Sequence, residues 1–454
     1  MCRPNKKLKI ESCIEILSES FQKFKDPRDK SLIKISLSDF LMSSYAVFAL
    51  KYPSLLSFEK DYYEGNISKS CNGLFGIKNL PSDTHLRDVM DLVDDKDFRR
   101  IFKKLFTFTQ RSKTLERFEF LKLGGVPHYL IAGDGSGYFS SKKLQCSGCT
   151  IYHEDNEDKE TRFGHQIFAA SIVHPDQREV LPLCPEPVYK EDGMTKNDCE
   201  FNAFKRFMED FKREHPKLKT IFLGDALYSN GPAMKLLEDN GMYFLLNIKT
   251  NPQRVLGEFR DKKKKGLTGQ VVVTEKTGVK IIKTIERAHR FLNDMRFNQN
   301  DGTRINFIEL VETKTWTDKD GEFHRERKIF TWITNILIDT KNVEQLAKGA
   351  RTRWKIENET FNTLKNHGYN LEHNYGHGKN NLSKNLINMM FIAFYIDQLQ
   401  YLSCTTFKRV VDKLGAKTYI WRKLKGLIEL IALPNWEITY GIYLKEVKLE
   451  YNSS

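Results

Sequence analysis

The sequence HYLIAGDGSG at residues 128–137 and the sequence TIFLGD at residues 220–225 decide the fold. Each is a short apolar run that stops at a glycine-flanked aspartate, a pattern that predicts a buried strand ending in a tight loop. Between them, residues 197–215 repeat phenylalanine and methionine at helical spacing, as in Phe204 and Met208, and predict an amphipathic helix packed on a core. Strands that alternate with helices indicate an α/β sheet with parallel elements.

The pattern of polar and apolar residues changes on both sides of this region. Residues 1–120 read as helical and polar, and residues 251–330 read as strands separated by polar turns. Residues 331–380 begin with a return strand and continue as a helical pattern, whereas residues 381–454 read as two or three helices with a short irregular tail. The sequence therefore predicts an α/β core in two parts, the first being residues 121–250, interrupted by a mostly β insertion and flanked by helical regions.

The composition favours a polyanionic partner and a reducing compartment. The 454 residues contain 73 Lys and Arg against 59 Asp and Glu, a formal net charge of +14, which suits phosphate binding although a soluble protein can simply be basic. The eight cysteines are irregularly spaced, which argues against a secreted disulfide scaffold and for the cytoplasm. The first 13 residues contain no apolar run, and residues 386–399 are interrupted by polar residues, so neither a signal peptide nor a membrane span is expected.

Two aspartates, Asp134 and Asp225, follow the two apolar runs. Functional groups on α/β sheets gather where strands end, and carboxylate oxygens are the hard ligands that Mg²⁺ or Mn²⁺ prefers. A single Asp after a strand is usually a turn former. Two of them, each ending a strand of one predicted sheet, indicate a candidate site for two-metal phosphodiester chemistry.

The sequence RTRWKIENE at residues 351–359 supplies a third acid. Arg353 and Glu357 are four residues apart and project from one helix face, and Lys365 lies two turns beyond Glu357. An acid flanked by cations suits a scissile phosphate, although an exposed helix with ordinary ion pairs has the same pattern. Glu359 is the rival acid, and it points to a different face of the helix.

These motifs resemble those of bacterial insertion-sequence transposases of the DDE class. The resemblance is carried by GDGSGYFSSK at residues 133–142, GDALYS at residues 224–229 and RWKIENE at residues 353–359. It continues through FNTLKNHGYNLEHNYGHG at residues 361–378 and covers about residues 130–380. The third motif is the most specific of these.

The resemblance implies a ribonuclease H-like core with a β insertion before the catalytic glutamate. It makes Asp134, Asp225 and Glu357 the catalytic residues and the ligands of Mg²⁺ or Mn²⁺. Arg353 matches the arginine that stands four residues before that glutamate in the family.

The chain departs from the best-known branch of that family at two positions. That branch has a tyrosine three residues before the arginine and a lysine seven residues after the glutamate, where this chain has Ala350 and Leu364. Lys365 comes one residue late. The departures indicate a sister group and leave the roles of the tyrosine and lysine open.

The activity implied by the resemblance is that of an endonuclease and strand transferase that cuts the ends of an insertion sequence and joins them to target DNA. The implied partners are double-stranded DNA, in the form of terminal inverted repeats and target DNA, and a second copy of the chain, because two ends must meet. Residues 1–120 would bind the repeats, and Arg353 and Lys365 would hold phosphates. Tyr228 would contact DNA near Asp225, unless its segment merely caps the next helix. A nucleoid-associated protein of the bacterial cytoplasm is expected.

Three other functions stay open at this stage. Another ribonuclease H-like nuclease, such as a resolvase, would use the same acids without joining strands. A non-catalytic DNA-binding protein derived from a transposase would not cut DNA. A nucleotide-binding α/β enzyme is remote, because residues 133–137 match neither GxGxxG nor a P-loop.

The sequence CSGC at residues 146–149 is a CxxC pair, followed by His153, His174 and Cys184. A tetrahedral zinc site needs four nitrogen or sulfur ligands. No second pair stands at a convincing spacing, so reduced thiols are the default and structural zinc is the alternative.

The remaining histidines predict no metal site. His165 begins a core strand and is expected to be packed there. His367, His373 and His377 follow the third motif, where glycines weaken the helix, and are expected to contact DNA or to make hydrogen bonds within the loop.

Overall fold

The computed structural model describes residues 9–447 except residues 65–66, 147, 154–160, 191–195, 249–252, 279–280, 298–301 and 416. These residues form many helices and one large mixed sheet, so the α/β class predicted from the sequence is confirmed.

The helices in the described part of the chain are α1 (Ile10–Phe21), α2 (Leu37–Ala49), α3 (Leu55–Tyr63), α4 (Ile67–Phe75), α5 (Asp83–Leu92), α6 (Phe98–Arg111), α7 (Lys196–Glu214), α8 (Gly231–Asp239), α9 (Gln253–Lys264), α10 (Val343–Arg351), α11 (Asn362–Asn366), α12 (Leu382–Ser403), α13 (Thr405–Leu414), α14 (Lys417–Leu430) and α15 (Trp436–Leu444). The strands are β1 (Glu119–Leu123), β2 (Val126–Ser141), β3 (Thr150–His153), β4 (Thr161–Val173), β5 (Leu181–Pro182), β6 (Glu186–Val188), β7 (Thr220–Gly224), β8 (Tyr243–Asn247), β9 (Gly269–Thr277), β10 (Lys283–Arg296), β11 (Arg304–Thr317) and β12 (Phe323–Thr334).

The sheet combines antiparallel and parallel pairing around β2. Strand β2 pairs antiparallel with β4 and parallel with β7, and β7 pairs parallel with β8. Helix α8 makes the crossover between β7 and β8, as a parallel pair requires. Strands β3, β5 and β6 pair with β4, and β1 pairs with β2.

Strand β2 is longer than the sequence predicts, and the prediction of a tight loop at residues 133–137 is wrong. Pairing with β7 stops at Ala132 and Leu223, but pairing with β4 continues through Asp134, which lies opposite Ala169, and on to Ser141. The apolar run therefore ends where β2 loses its neighbour on one side, and the strand itself continues.

Strands β9 to β12 form an antiparallel meander that extends the same sheet. Strand β12 pairs antiparallel with β8, with Trp332 opposite Asn247 and Thr334 opposite Leu245. The residues that the sequence assigns to a β insertion therefore join the core sheet by backbone pairing, and α9 precedes them.

The helices at the two ends of the chain pack together around α12, most of whose residues are buried. Lys51 Nζ lies 2.6 Å from Asp397 Oδ2, and Thr109 Oγ1 lies 3.1 Å from Tyr395 Oη. The six N-terminal helices thus share one apolar core with α12 and the sheet.

The C-terminal segment is more regular than predicted. The expected irregular tail contains α15, because Asn435 caps its first turn and Trp436 is buried with Nε1 donating to Leu74 O at 3.0 Å. Among the described helices, none combines the length and apolar character that crossing a bilayer needs.

Candidate active site

Asp134, within β2, and Asp225, directly after β7, occupy matching positions relative to the pairing of these two neighbouring strands. The parallel pairing of β2 with β7 ends at Ala132 and Leu223, and each aspartate stands two residues further on. Both side chains are partly buried, and the negative charge of Asp225 acts on Asp134. The structure therefore brings together the two aspartates that the sequence singles out.

The glycines beside Asp134 allow close packing. A Cβ atom on Gly133 would lie 2.6 Å from Cζ of Phe168, and one on Gly135 would lie 2.2 Å from Oε2 of Glu200. Real Cβ atoms do not approach other atoms so closely, so both positions need glycine for space. The glycine-rich stretch is therefore a site of close approach.

Glu200 is an acid of the site that the sequence reasoning missed. It lies on α7, is 7% exposed, and packs against the backbone of β2 at Gly135. The available signal was its place in the helix: Glu200 lies four residues before Phe204, on the apolar stripe that faces the core. A charged residue on a buried stripe requires an explanation, because burying a charge is costly.

Tyr228 lies in the core, which corrects the expectation that it contacts DNA. Its side chain is fully buried against Phe168, Phe204 and Phe222, and its hydroxyl donates a hydrogen bond to Glu200 Oε1 at 2.8 Å. Tyr228 holds Glu200 in place and presents no surface to a ligand. The alternative for its segment is confirmed, since the side chain of Asn230 caps α8.

The surroundings of Asp134, which include Glu200 and Asp225, disfavour a negative charge on its carboxyl group. Burial, followed by the charge of Glu200, raises the pKa of Asp134 from 3.8 to about 7, while Arg353 opposes the rise and Asp225 adds to it. Such perturbed carboxyls concentrate at functional sites.

Arg353 connects Asp134 to Glu357. Its Nη2 lies 2.7 Å from Glu357 Oε1, and its Nη1 lies 3.6 Å from Asp134 Oδ2. Nη1 is buried and has no hydrogen-bond partner within the described part of the chain. The predicted pairing of Arg353 with Glu357 is confirmed, although Arg353 lies in the turn after α10 and not on a helix face shared with Glu357. The guanidinium also reaches Asp134.

Glu357 stands on a π-helical turn, Ile356–Phe361, and not on the regular helix that the sequence predicts. Helix α10 ends at Arg351, and a turn leads from it into this π-helical segment. Thr360 anchors the turn to β4, because its Oγ1 lies 3.0 Å from Ser171 Oγ in the buried interior. Lys355, 4% exposed, donates to the carbonyl oxygen of His174 at 2.8 Å and fixes the start of the turn. Single π-helical turns are frequent at functional sites.

The other two charged candidates on this segment have different partners. Glu359 Oε2 lies 4.0 Å from Arg178 Nε, on another side of the turn from Arg353. Lys365 Nζ lies 2.7 Å from Glu372 Oε1. Arg353 therefore distinguishes Glu357 from Glu359, and Lys365 is paired within its own segment.

The three acids that the resemblance implies do not form a closed coordination sphere in this conformation. Among the described residues, they are not one of the groups whose ligand atoms all lie within 4.8 Å of one another. The Glu357 side chain is half exposed and held by Arg353. Asp134, Asp225 and Glu200 interact electrostatically, and Glu357 reaches this cluster through the arginine.

Comparison with protein families gives one match. The family model described as a transposase DDE domain matches residues 192–395, somewhat under half of the chain. The match includes Asp225, Arg353, Glu357 and Glu200, and begins after Asp134. It supports the DDE transposase family for this chain, and such a domain implies a ribonuclease H-like core. A search among curated proteins found no match.

Proposed function

We propose that this chain is a DDE transposase that cuts the ends of a bacterial insertion sequence and joins them to target DNA. One observation carries the proposal: Arg353 bridges Asp134 and Glu357, the first and third acids of the motif, while Asp225 acts on Asp134. The family match over residues 192–395 supports the same reading from the sequence side.

The donor set suits a hard divalent cation. Asp134, Asp225 and Glu357 would hold Mg²⁺ or Mn²⁺, which carboxylate oxygens prefer as ligands. The raised pKa of Asp134 fits this role. Its carboxyl lies beside other carboxylates in a partly buried site, so its ionised form lacks the compensating positive charge that a bound cation would supply. When bound, such ions activate the attacking oxygen and stabilise the leaving oxygen of a phosphodiester.

The protein's own residues would position the DNA strand for that chemistry. Arg353 has a buried Nη1 without a hydrogen-bond partner among the described residues, and a planar guanidinium suits bidentate contact with phosphate. Glu357 is half exposed, so its carboxylate can leave Arg353 and turn towards Asp134 without unpacking a core. Glu200 and Tyr228 would keep the wall beneath Asp134 fixed.

The proposed partners are the terminal inverted repeats, target DNA and a second copy of the chain. The net charge of +14 suits a DNA partner. The helices of residues 1–120 remain our proposal for reading the repeats, and they would do so from the surface that does not pack on α12. Lys365 would hold a phosphate after release from Glu372.

The test is excision and joining of the DNA that flanks the gene. A plasmid carrying both flanks should be cut in the presence of Mg²⁺, and an end with a free 3′-hydroxyl should be joined to a second DNA. Asp134→Asn, Asp225→Asn and Glu357→Gln should each abolish both steps, since each removes a proposed ligand. Glu359→Gln is the matched control and should keep them.

Each alternative gives a different result in this assay. Cleavage without joining would identify a resolvase-like nuclease and overturn strand transfer. DNA binding without cleavage, unchanged by the three substitutions, would identify a non-catalytic DNA-binding protein. Loss of activity in Glu359→Gln but not in Glu357→Gln would overturn the assignment of the third acid.

A further inference from the structure

Two cysteines and two histidines meet on the side of the sheet where β2 ends. Cys146 Sγ lies 3.8 Å from Cys149 Sγ and 3.4 Å from His165 Nε2. Cys149 Sγ lies 3.6 Å from His165 Nε2 and 3.4 Å from His377 Nε2. All four ligand atoms lie within 4.8 Å of one another.

These distances are those of a tetrahedral site. Zinc bonds of ~2.3 Å to sulfur and ~2.0–2.1 Å to nitrogen, arranged at tetrahedral angles, place two sulfurs ~3.8 Å apart and a sulfur and a nitrogen ~3.5 Å apart. The observed separations of 3.4–3.8 Å match this arrangement. A disulfide would bring the two sulfurs to about 2.05 Å and would need neither histidine.

The backbone around the cysteines is folded as a metal-binding turn requires. Cys149 N donates to Cys146 O at 3.2 Å, which closes the turn, and Cys146 N donates to Cys149 Sγ at 3.4 Å. An N–H group directed at a sulfur stabilises negative charge on it, as contacts of this kind around a bound metal do. Cys149 is 2% exposed, so the sulfur is shielded from solvent.

The two histidines are held by independent parts of the fold. His165 belongs to β4 and stacks on Tyr138 with ring centroids 5.8 Å apart. The neighbourhood of His377 is fixed by Asp91, whose carboxylate accepts hydrogen bonds of 2.9–3.0 Å from the backbone N–H groups of residues 379–382. Arg87 Nε also donates to Tyr375 O at 3.0 Å. The imidazoles therefore reach the cysteines from positions set by the protein itself.

We propose that Cys146, Cys149, His165 and His377 bind one Zn²⁺ as a structural ion. Four protein ligands of the Cys₂His₂ type close the coordination sphere and leave no position for substrate, which is characteristic of structural zinc. The default expectation of ordinary thiols for the CxxC pair is replaced by this proposal. So are the expectations that His165 is merely packed and that His377 contacts DNA or makes loop hydrogen bonds.

The other candidates to complete the CxxC pair do not reach it. His174 lies beside Phe120 with its Nδ1 accepting from Asp176 N at 3.1 Å, and Cys184 lies near Arg99. The side chain of His153 falls outside the described residues.

The ion would tie three distant segments together. It links the turn that follows β2, strand β4 next to the edge strand β3, and the loop that leads from α11 into α12. Cys149 and His377 are 228 residues apart in the sequence, so the link restrains a very long loop. Since β2 also carries Asp134, the ion would hold the far end of that strand against the segment that follows Glu357.

The proposal is tested by the metal content of the purified full-length protein. The wild type should contain one zinc ion per chain, and Cys149→Ser and His377→Ala should each lose it. Cobalt substituted for zinc should give the visible bands of a tetrahedral ion with sulfur ligands. His377→Cys should keep the metal and gain sulfur-to-cobalt charge-transfer intensity, because it supplies a third thiolate.

Two matched controls separate ligand loss from general damage. Cys404→Ser replaces a cysteine that caps α13 through its sulfur, a role that serine fills well. His373→Ala removes an exposed histidine four residues before His377. Both variants should keep the zinc.

Several results would overturn the proposal. They are wild-type protein without zinc, a disulfide between Cys146 and Cys149 in mass spectra of the non-reduced protein, or undiminished zinc in a folded His377→Ala variant. If that variant does not fold, His377→Cys decides: metal with an unchanged cobalt spectrum would exclude residue 377 as a ligand. None of these measurements uses DNA, so they are independent of the proposed transposase activity.

Discussion

Replacing Asp134 by asparagine should stabilise the metal-free protein at neutral and alkaline pH, although the same change should abolish DNA cleavage. The pKa of Asp134 is raised from 3.8 to about 7, first by burial and then by Glu200. Above pH 7 the folded protein must carry a charge that its surroundings disfavour. Asparagine removes that charge and keeps an oxygen for the hydrogen bond that Asp134 Oδ1 accepts from Gly135 N at 2.9 Å.

The magnitude follows from the linkage between pKa and stability. Below about pH 3 the carboxyl is protonated in both the folded and the unfolded chain, so it makes almost no difference to stability. As the pH rises towards 7, the unfolded chain releases this proton and the folded chain keeps it, so the free energy of unfolding falls. The interval from 3.8 to about 7, at about 1.4 kcal/mol for each pH unit, sets a ceiling of about 4 kcal/mol. More than half of this loss should develop between pH 5 and pH 8.

The assay is denaturation by urea in the presence of EDTA at pH 5 and pH 8. The advantage of Asp134→Asn over the wild type should grow by about 2–3 kcal/mol between the two pH values. Adding Mg²⁺ at pH 8 should stabilise the wild type more than the variant, because only the wild type offers the full ligand set. Glu200→Gln should reduce the pH effect, since Glu200 is the largest source of repulsion.

Asp91 provides a control of the opposite sign. Burial tends to raise its pKa, but hydrogen bonds from backbone N–H groups, that of Leu382 foremost, lower the pKa overall. Asp91→Asn should therefore be more destabilising at pH 8 than at low pH, because the stability that Asp91 contributes is lost as the pH falls. Parallel pH profiles for the wild type and Asp134→Asn would refute the reasoning about Asp134.

Two further substitutions test a buried ion pair in the helical core and the packing beside Asp134. Lys51→Met should lower the free energy of unfolding, measured by urea denaturation, by about 3–5 kcal/mol, because it leaves the buried Asp397 without its cation. The double variant with Asp397→Asn should recover part of that loss. An equal or larger loss in the double variant would contradict the argument. Gly135→Ala should cost about 1–3 kcal/mol, because its Cβ would lie 2.2 Å from Oε2 of Glu200. Gly137→Ala, whose Cβ would have no neighbour closer than 3.9 Å, is the matched control, and equal thermal stability of these two glycine variants would contradict the argument.

Much of the core could be predicted from the sequence because its elements are buried and regular. Strand β7 and helix α7 follow directly from an apolar run and a helical stripe, and the structure places them within a residue or two of the predicted bounds. The same local rules failed at residues 133–137, because glycine there makes room for Phe168 and Glu200. Only the tertiary structure brings those two side chains to β2, so a local pattern of glycines is read as a turn.

In the candidate site, too, the sequence predicts local features but not contacts between residues far apart in the chain. The pairing of Arg353 with Glu357 is local and was visible as a spacing of four residues, whereas Glu200 lies 66 residues from Asp134 and was not recognised. The position of Tyr228 near Asp225 predicts a DNA contact, but its ring is buried in the core. No spacing rule connects His377 with the CxxC pair, because His377 and Cys149 are 228 residues apart in the sequence.

The π-helical turn explains how Lys365 can stand one residue later than the lysine of the best-known branch of the family that the sequence resembles. A π-helical turn takes in one more residue than an α-helical turn, so each residue after it stands about where its predecessor would stand on an uninterrupted helix. Lys365 follows Glu357 by eight residues, and Ile356–Phe361 lies on the way, so the extra residue is absorbed before the lysine is reached. The extra residue before Lys365 and the extra residue in the π-helical turn thus offset each other. Deleting one residue from the turn, so that it becomes regular α-helix, would leave the direction of the Lys365 side chain relative to Glu357 nearly unchanged.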